Sequence, residues 1–163
     1  MKTNEIVVSA DFKGKFLEGY LVDGISPKPG QVMQFDFTQP QVGGRFAVKL
    51  YSPGSDGARP IGPYLVLLPD HLSGKDAKEA YPANVKSRCF LAIPQAGDEL
   101  NLLIADVAGT GDSHPIGERL MVANGTGKFI ALAGSPHSAP ATLLESLPAL
   151  TEDTLGWCVW NGY

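Results

Sequence analysis

The chain has 163 residues, 44% of them hydrophobic, with 19 Gly, 13 Pro and a formal net charge of −4. That apolar share excludes a disordered chain, and so much Gly and Pro argues against a helical one, because both disrupt element interiors. No Lys/Arg cluster invites nucleic acid, two lone Cys exclude a disulfide framework or a zinc ribbon, and no apolar run is long enough to span a membrane.

In chain order, residues 1–15 are polar around Ile6-Val7-Val8 and predict an arm or a weak edge strand, with no signal-peptide pattern. VMQFDF (32–37) and RFAVKLY (45–51) alternate with period two, the half-buried strand signature, and Gln39–Gly44 joins them as a hairpin loop. SPGSDGARPIGP (52–63) is a loop or boundary, and YLVLLP (64–69) a strand covered on both faces. SGKDAKEAYP (73–82) predicts the one short helix, with Ser73 as N-cap and Pro82 as its stop. RCFLAI (88–93), ELNLLIADV (99–107), ERLMV (118–122), KFIALA (128–133), ATLLES (141–146) and GWCVW (156–160) complete the strands, with no internal repeat evident. The expected fold is mainly β: a small β-barrel or sandwich body, an extended N-terminal arm and one short helix. The division expected is 1–57 for arm and first strands and 58–163 for the barrel or sandwich domain.

Gly-Thr-Gly occurs at 109–111 and at 125–127, the second followed by Lys128. A phosphate-binding loop needs Gly-Lys-Ser/Thr, or Gly-x-Gly-x-x-Gly, opening a helix. Lys128 is followed by Phe129 and a strand pattern, so Asn124-Gly125 reads as a hairpin turn. The loop from Gly109 to His114 holds Asp112, Ser113 and His114 side by side, whereas a catalytic triad converges from distant segments. Asp106 with Asp112 fits no calcium loop, and Glu79, Asp98 and Glu99 read as solvated turn carboxylates. His71, His114 and His137 stand apart as surface or loop residues, and Cys89 and Cys158 read as buried free thiols. No catalytic residue, metal or cofactor is therefore expected. Trp157, Trp160 and Tyr163 crowd the last seven residues, the residue types that most often anchor interfaces.

From GPYLVLLPDHLSGKDAKEAY through AGDELNLLIA, IGERLMV, Asn-Gly-Thr-Gly and ATLLES, the order of parts over about residues 60–150 resembles the small head decoration, or cement, proteins of tailed bacteriophages. The resemblance implies a non-enzymatic protein made in the host cytoplasm. It would sit on the capsid exterior of the virion, bind the major capsid protein and associate with itself as a homotrimer. Ile6, Val7, Val8 and Phe12 of the arm, with Trp157, Trp160 and Tyr163, are the expected capsid or subunit interface. GWCVWNGY departs from the charged strand ending of that family. Two other readings fit the pattern less fully: a lipoyl or biotinyl carrier domain using Lys128, and a carbohydrate-binding β-sandwich using the terminal Trp residues.

Overall fold

The computed structural model describes residues 5–83, 86–106, 112–133 and 138–162. Among them lie β1 (Lys15–Leu21), β2 (Val32–Phe35), β3 (Phe46–Leu50), β4 (Leu65–Leu67), β5 (Arg88–Ile93), β6 (Glu99–Ile104), β7 (Arg119–Val122), β8 (Phe129–Ala131), β9 (Ala141–Leu143) and β10 (Thr154–Trp160). They close into two five-stranded barrels, β1-β3-β2-β4-β5 and β10-β6-β8-β7-β9. A mainly β barrel protein is thus what the strand periodicity specified. The sheets divide after Ile93, so the Gly/Pro-rich 52–63 stretch lies inside the first barrel as its β3–β4 connection.

The two barrels are copies of one plan. In the first, β1 runs parallel to β3 and antiparallel to β5; in the second, β6 runs parallel to β8 and antiparallel to β10. The match extends to single hydrogen bonds. The N–H of Gly30 donates to the carbonyl of Leu67 (2.9 Å) and that of Leu67 to Gln31 (2.9 Å). In the second barrel Gly117 donates to Leu143 (2.8 Å) and Leu143 to Glu118 (2.9 Å). Leu68 donates to Phe90 as Leu144 does to Trp157, and Val22 to Val48 as Ala105 does to Phe129. Gly30 and Gly117 share the same left-handed backbone, φ 85° and 86°. The sequence showed no repeat because what recurs is the pairing, while apolar side chains interchange within each barrel.

Alternation along the strands fills each barrel. Leu21, Met33, Val48, Leu65, Leu67, Tyr81, Cys89 and Leu91 form the interior of the first. The larger cluster fills the second and reaches across the junction to Val32, Tyr51, Tyr64 and Val66 of the first. Tyr64 meets Trp160 edge-on at 5.4 Å, and Trp160 meets Phe129 at 6.3 Å, geometries that aromatic quadrupoles favour. β2 is therefore covered on both sides, with Met33 inside its own barrel and Val32 facing the other.

Two local expectations are corrected. The segment 5–9 is not an extended arm: Ile6 is 1% exposed, its carbonyl accepts the Asn101 N–H, and Val7 bridges Leu100. An apolar triplet this short gains more from the barrel wall than from solvent. The only helical turn among the described residues is a 3-10 turn at His71–Ser73, capped by Asp70, whose carboxylate accepts the Ser73 N–H. Gly74 at φ 71° ends it, and the Asp76 carboxylate takes the Lys78 N–H in a side-chain turn that competes with helix.

The β7–β8 turn is the expected hairpin, and it also pins the barrels together. Gly127 accepts the Val32 N–H at 2.7 Å, and Gly125 donates to Tyr51 at 2.8 Å. A Cβ on Gly127 would lie 2.1 Å from the Val32 carbonyl oxygen, whereas one on Gly125 would meet open space. Gly127→Ala should therefore lower the unfolding free energy by about 3 kcal/mol or more, from backbone displacement added to left-handed strain. Gly125→Ala should cost only the strain, about 1 kcal/mol. Urea unfolding of the two variants checks this; equal losses would mean that the junction yields freely.

Candidate functional site

The structure gathers the described members of the expected interface around β6 but buries part of them. Ile6 and Trp160 (2% exposed) belong to the core and cannot reach a partner while the protein is folded. Val7 and Phe12 pack against that core, and Val8 donates its N–H to Glu99. Phe12 stacks on Phe16 at 4.8 Å. Trp157 is half-buried, its indole N–H bonded to the Glu99 carboxylate at 3.0 Å and its backbone N–H to Glu145 at 2.7 Å. Tyr163, His137 and the Gly109–Gly111 loop lie outside the described residues.

The chemistry-bearing residues have structural roles. Asp98 is not a solvated carboxylate but is fully buried. It accepts the backbone N–H groups of Lys13 (2.8 Å), Gly14 (3.1 Å) and Gln95 (2.8 Å). His114 is buried too, at 4% exposed, with Nδ1 2.5 Å from a Glu118 carboxylate oxygen. Its backbone pairs with Leu147 in both directions, which draws the ring inward. Lys128 forms an ion pair with Asp153 at 2.6 Å. Among the described residues no three His, Cys, Asp or Glu side chains converge to hold a metal, and no helix is long and apolar enough to cross a membrane.

What the described surface offers is apolar contact. Phe16 (62% exposed), Phe37, Val42, Phe46, Ile61 and Leu72 stand out from the first barrel, against Ile116 alone from the second. Phe16 edges a shallow depression of about 440 Å³ lined by Leu17, Leu68, His71 and Phe90. Phe35, Phe37 and Phe46 form a second group, with ring centroids 5.4–6.1 Å apart. Beside it, hydrogen bonds from Arg88 and Arg45 hold the Glu18 carboxyl below its usual range. Arg88 also lies over the Phe90 ring at 5.2 Å. Phe37 and Phe46 belong to the alternating runs VMQFDF and RFAVKLY. Phe37 falls two residues beyond the end of β2, where alternation no longer applies.

No protein-family model matches this chain, and no curated protein matches it.

Asp98→Ala should destabilise the protein by about 3 kcal/mol or more, since three N–H groups lose their acceptor, while Glu79→Gln should be neutral. Thermal melts of both variants test this, and a small loss for Asp98→Ala would leave the carboxylate without its anchoring role. Burial pushes the Cys89 thiol up to about 12 and raises Cys158, Tyr51 and Tyr81 as well. The folded groups keep their protons to higher pH than the unfolded ones, so this stability is intact below about pH 8.5 and is lost as pH rises towards the folded values. The melting temperature should fall progressively above pH 9. At pH 8 neither thiol should react with an aromatic disulfide reagent until the chain unfolds.

Proposed function

We propose that this chain is a structural virion protein that binds the outside of an assembled phage capsid and holds neighbouring major capsid proteins together, without catalysis. The observation that carries the reading is the display of large apolar side chains on a rigid, all-β double barrel. The face around Phe16 and the groove beside it, with exposed Leu72 next in the chain to the groove residue His71, is the docking surface in this reading. Exposed apolar groups gathered on a soluble protein mark contact with another macromolecule. The order of strands and turns from AGDEL to ATLLES, similar to that of head decoration proteins, supports reading that macromolecule as a capsid shell. A protein that binds the assembled lattice but not its free subunits stabilises the lattice by mass action.

Purified protein mixed with expanded shells that lack it should bind saturably and raise the shells' disruption temperature. Phe16→Ser with Leu72→Ser should weaken binding about tenfold or more, with the fold unchanged by circular dichroism. Absence of binding at saturating concentration overturns the reading.

A further inference from the structure

Because the barrels share one plan, each face of one has a counterpart in the other. Within the chain, the β7–β8 turn of the second barrel sits on the first: Asn124 accepts the Gly54 N–H at 3.0 Å and donates its own to Asp56 at 2.7 Å, and Gly127 accepts from Val32. The counterparts of that turn follow from its closing hydrogen bond. Ala123 donates to Lys128 at 2.8 Å as Asp36 donates to Ala47 at 2.9 Å. The next residues inward therefore correspond: Asn124 to Phe37, and Gly127 to Phe46. Where the second barrel meets its neighbour, the first barrel holds out Phe37 and Phe46, 61% and 42% exposed.

The receiving surface has a counterpart as well. Tyr51 donates to Val32 at 3.2 Å as Leu132 donates to Arg119 at 2.9 Å. Pro29, just before Gly30, is buried; its counterpart Ile116, just before Gly117, is 64% exposed. Among the described residues Ile116 is the one exposed large hydrophobic of the second barrel. The chain thus contains one filled junction and both unfilled halves of the same junction, an inserting turn on the first barrel and a receiving surface on the second. Different surfaces meet in it, so it is heterologous, the kind of contact that repeats head to tail, into a ring where the rotation closes and into a filament where it does not.

We propose that copies of this chain assemble head to tail, the Phe37–Phe46 turn of one copy seating on the Ile116, Arg119 and Leu132 surface of the next. The chemistry suits the pairing: aromatic rings meet an aliphatic side chain and a guanidinium, residue types enriched in interface cores. This inference rests on the hydrogen-bond correspondence and is independent of the capsid reading, because the assembly forms from the protein alone.

Light scattering after size exclusion should give a mass several times the 17.3 kDa of one chain. Phe37→Ser with Phe46→Ser should reduce it to that of the monomer, and so should Ile116→Asp or Arg119→Glu, with melting temperatures of the variants at dilution unchanged. The deciding measurement is a mixture. Each class of variant keeps one good half-junction, so the Phe37→Ser/Phe46→Ser protein mixed with the Ile116→Asp protein should form a one-to-one dimer and nothing larger. A monomeric wild-type protein at high micromolar concentration, variants that retain the full assembly, or a mixture that stays monomeric would each overturn the proposal.

Discussion

The two barrels meet backbone to backbone, and the fold depends on that approach. Gly127 brings its carbonyl to the Val32 N–H on one side of β2. On the other side Gly30 accepts the Leu103 N–H at 3.1 Å, in a place where a Cβ would lie 2.8 Å from Leu155. Only glycine fits either site, because side chains would hold the barrels apart and leave these polar groups unpaired. The close approach then buries Val32, Tyr51, Tyr64 and Val66 against Phe129 and Trp160, each worth about 1.5–3 kcal/mol of apolar transfer. Gln31, 5% exposed, completes the seam by donating to the Thr126 carbonyl at 2.6 Å.

A second constraint lies at the connector between the barrels. Asp98 binds the segment entering β1 through its carboxylate, while its own carbonyl accepts the Trp160 N–H at 2.8 Å. Gly97 donates to the Trp160 carbonyl at 2.8 Å. One short turn thus ties together the start of the first barrel and the last strand of the second. Charge-assisted hydrogen bonds are stronger than neutral ones, which suits a carboxylate to this position. Both carboxylate oxygens of Asp98 are occupied by the backbone.

Strand periodicity made much of the architecture readable. RCFLAI became β5 to the residue, and Asn124-Gly125 formed a hairpin turn because two apolar strands flank it. β1 gave no clear signal: KFLEGYL has Glu18 at its centre, facing out to Arg45 and Arg88, and Gly19 beside it, so its apolar pattern is broken. The burial of Ile6 and Trp160 was not legible because composition cannot tell a buried apolar side chain from an exposed one. Trp160 is buried at the junction with the other barrel, while Phe37 is freed by a turn that begins earlier than the alternation implied and Phe46 stands exposed at the very start of β3. The repeat was illegible because its loops differ in length and its shared features are backbone pairings, which leave no residue signature beyond Gly30 and Gly117.

The junction also bears on how the chain is made. β5 closes the first barrel, so that barrel can form once Ile93 has left the ribosome. Its outer face, with Val32, Tyr51, Tyr64 and Val66, then waits uncovered until β10 delivers Trp160. At typical synthesis rates that interval lasts several seconds. During it a nascent chain offers a sticky apolar surface to any neighbour on the same message, including a nascent copy whose second barrel has just emerged. Exchange of second barrels between chains would satisfy every contact equally well, so the five-residue spacer Pro94–Asp98 acts as a leash that favours the barrel on the same chain.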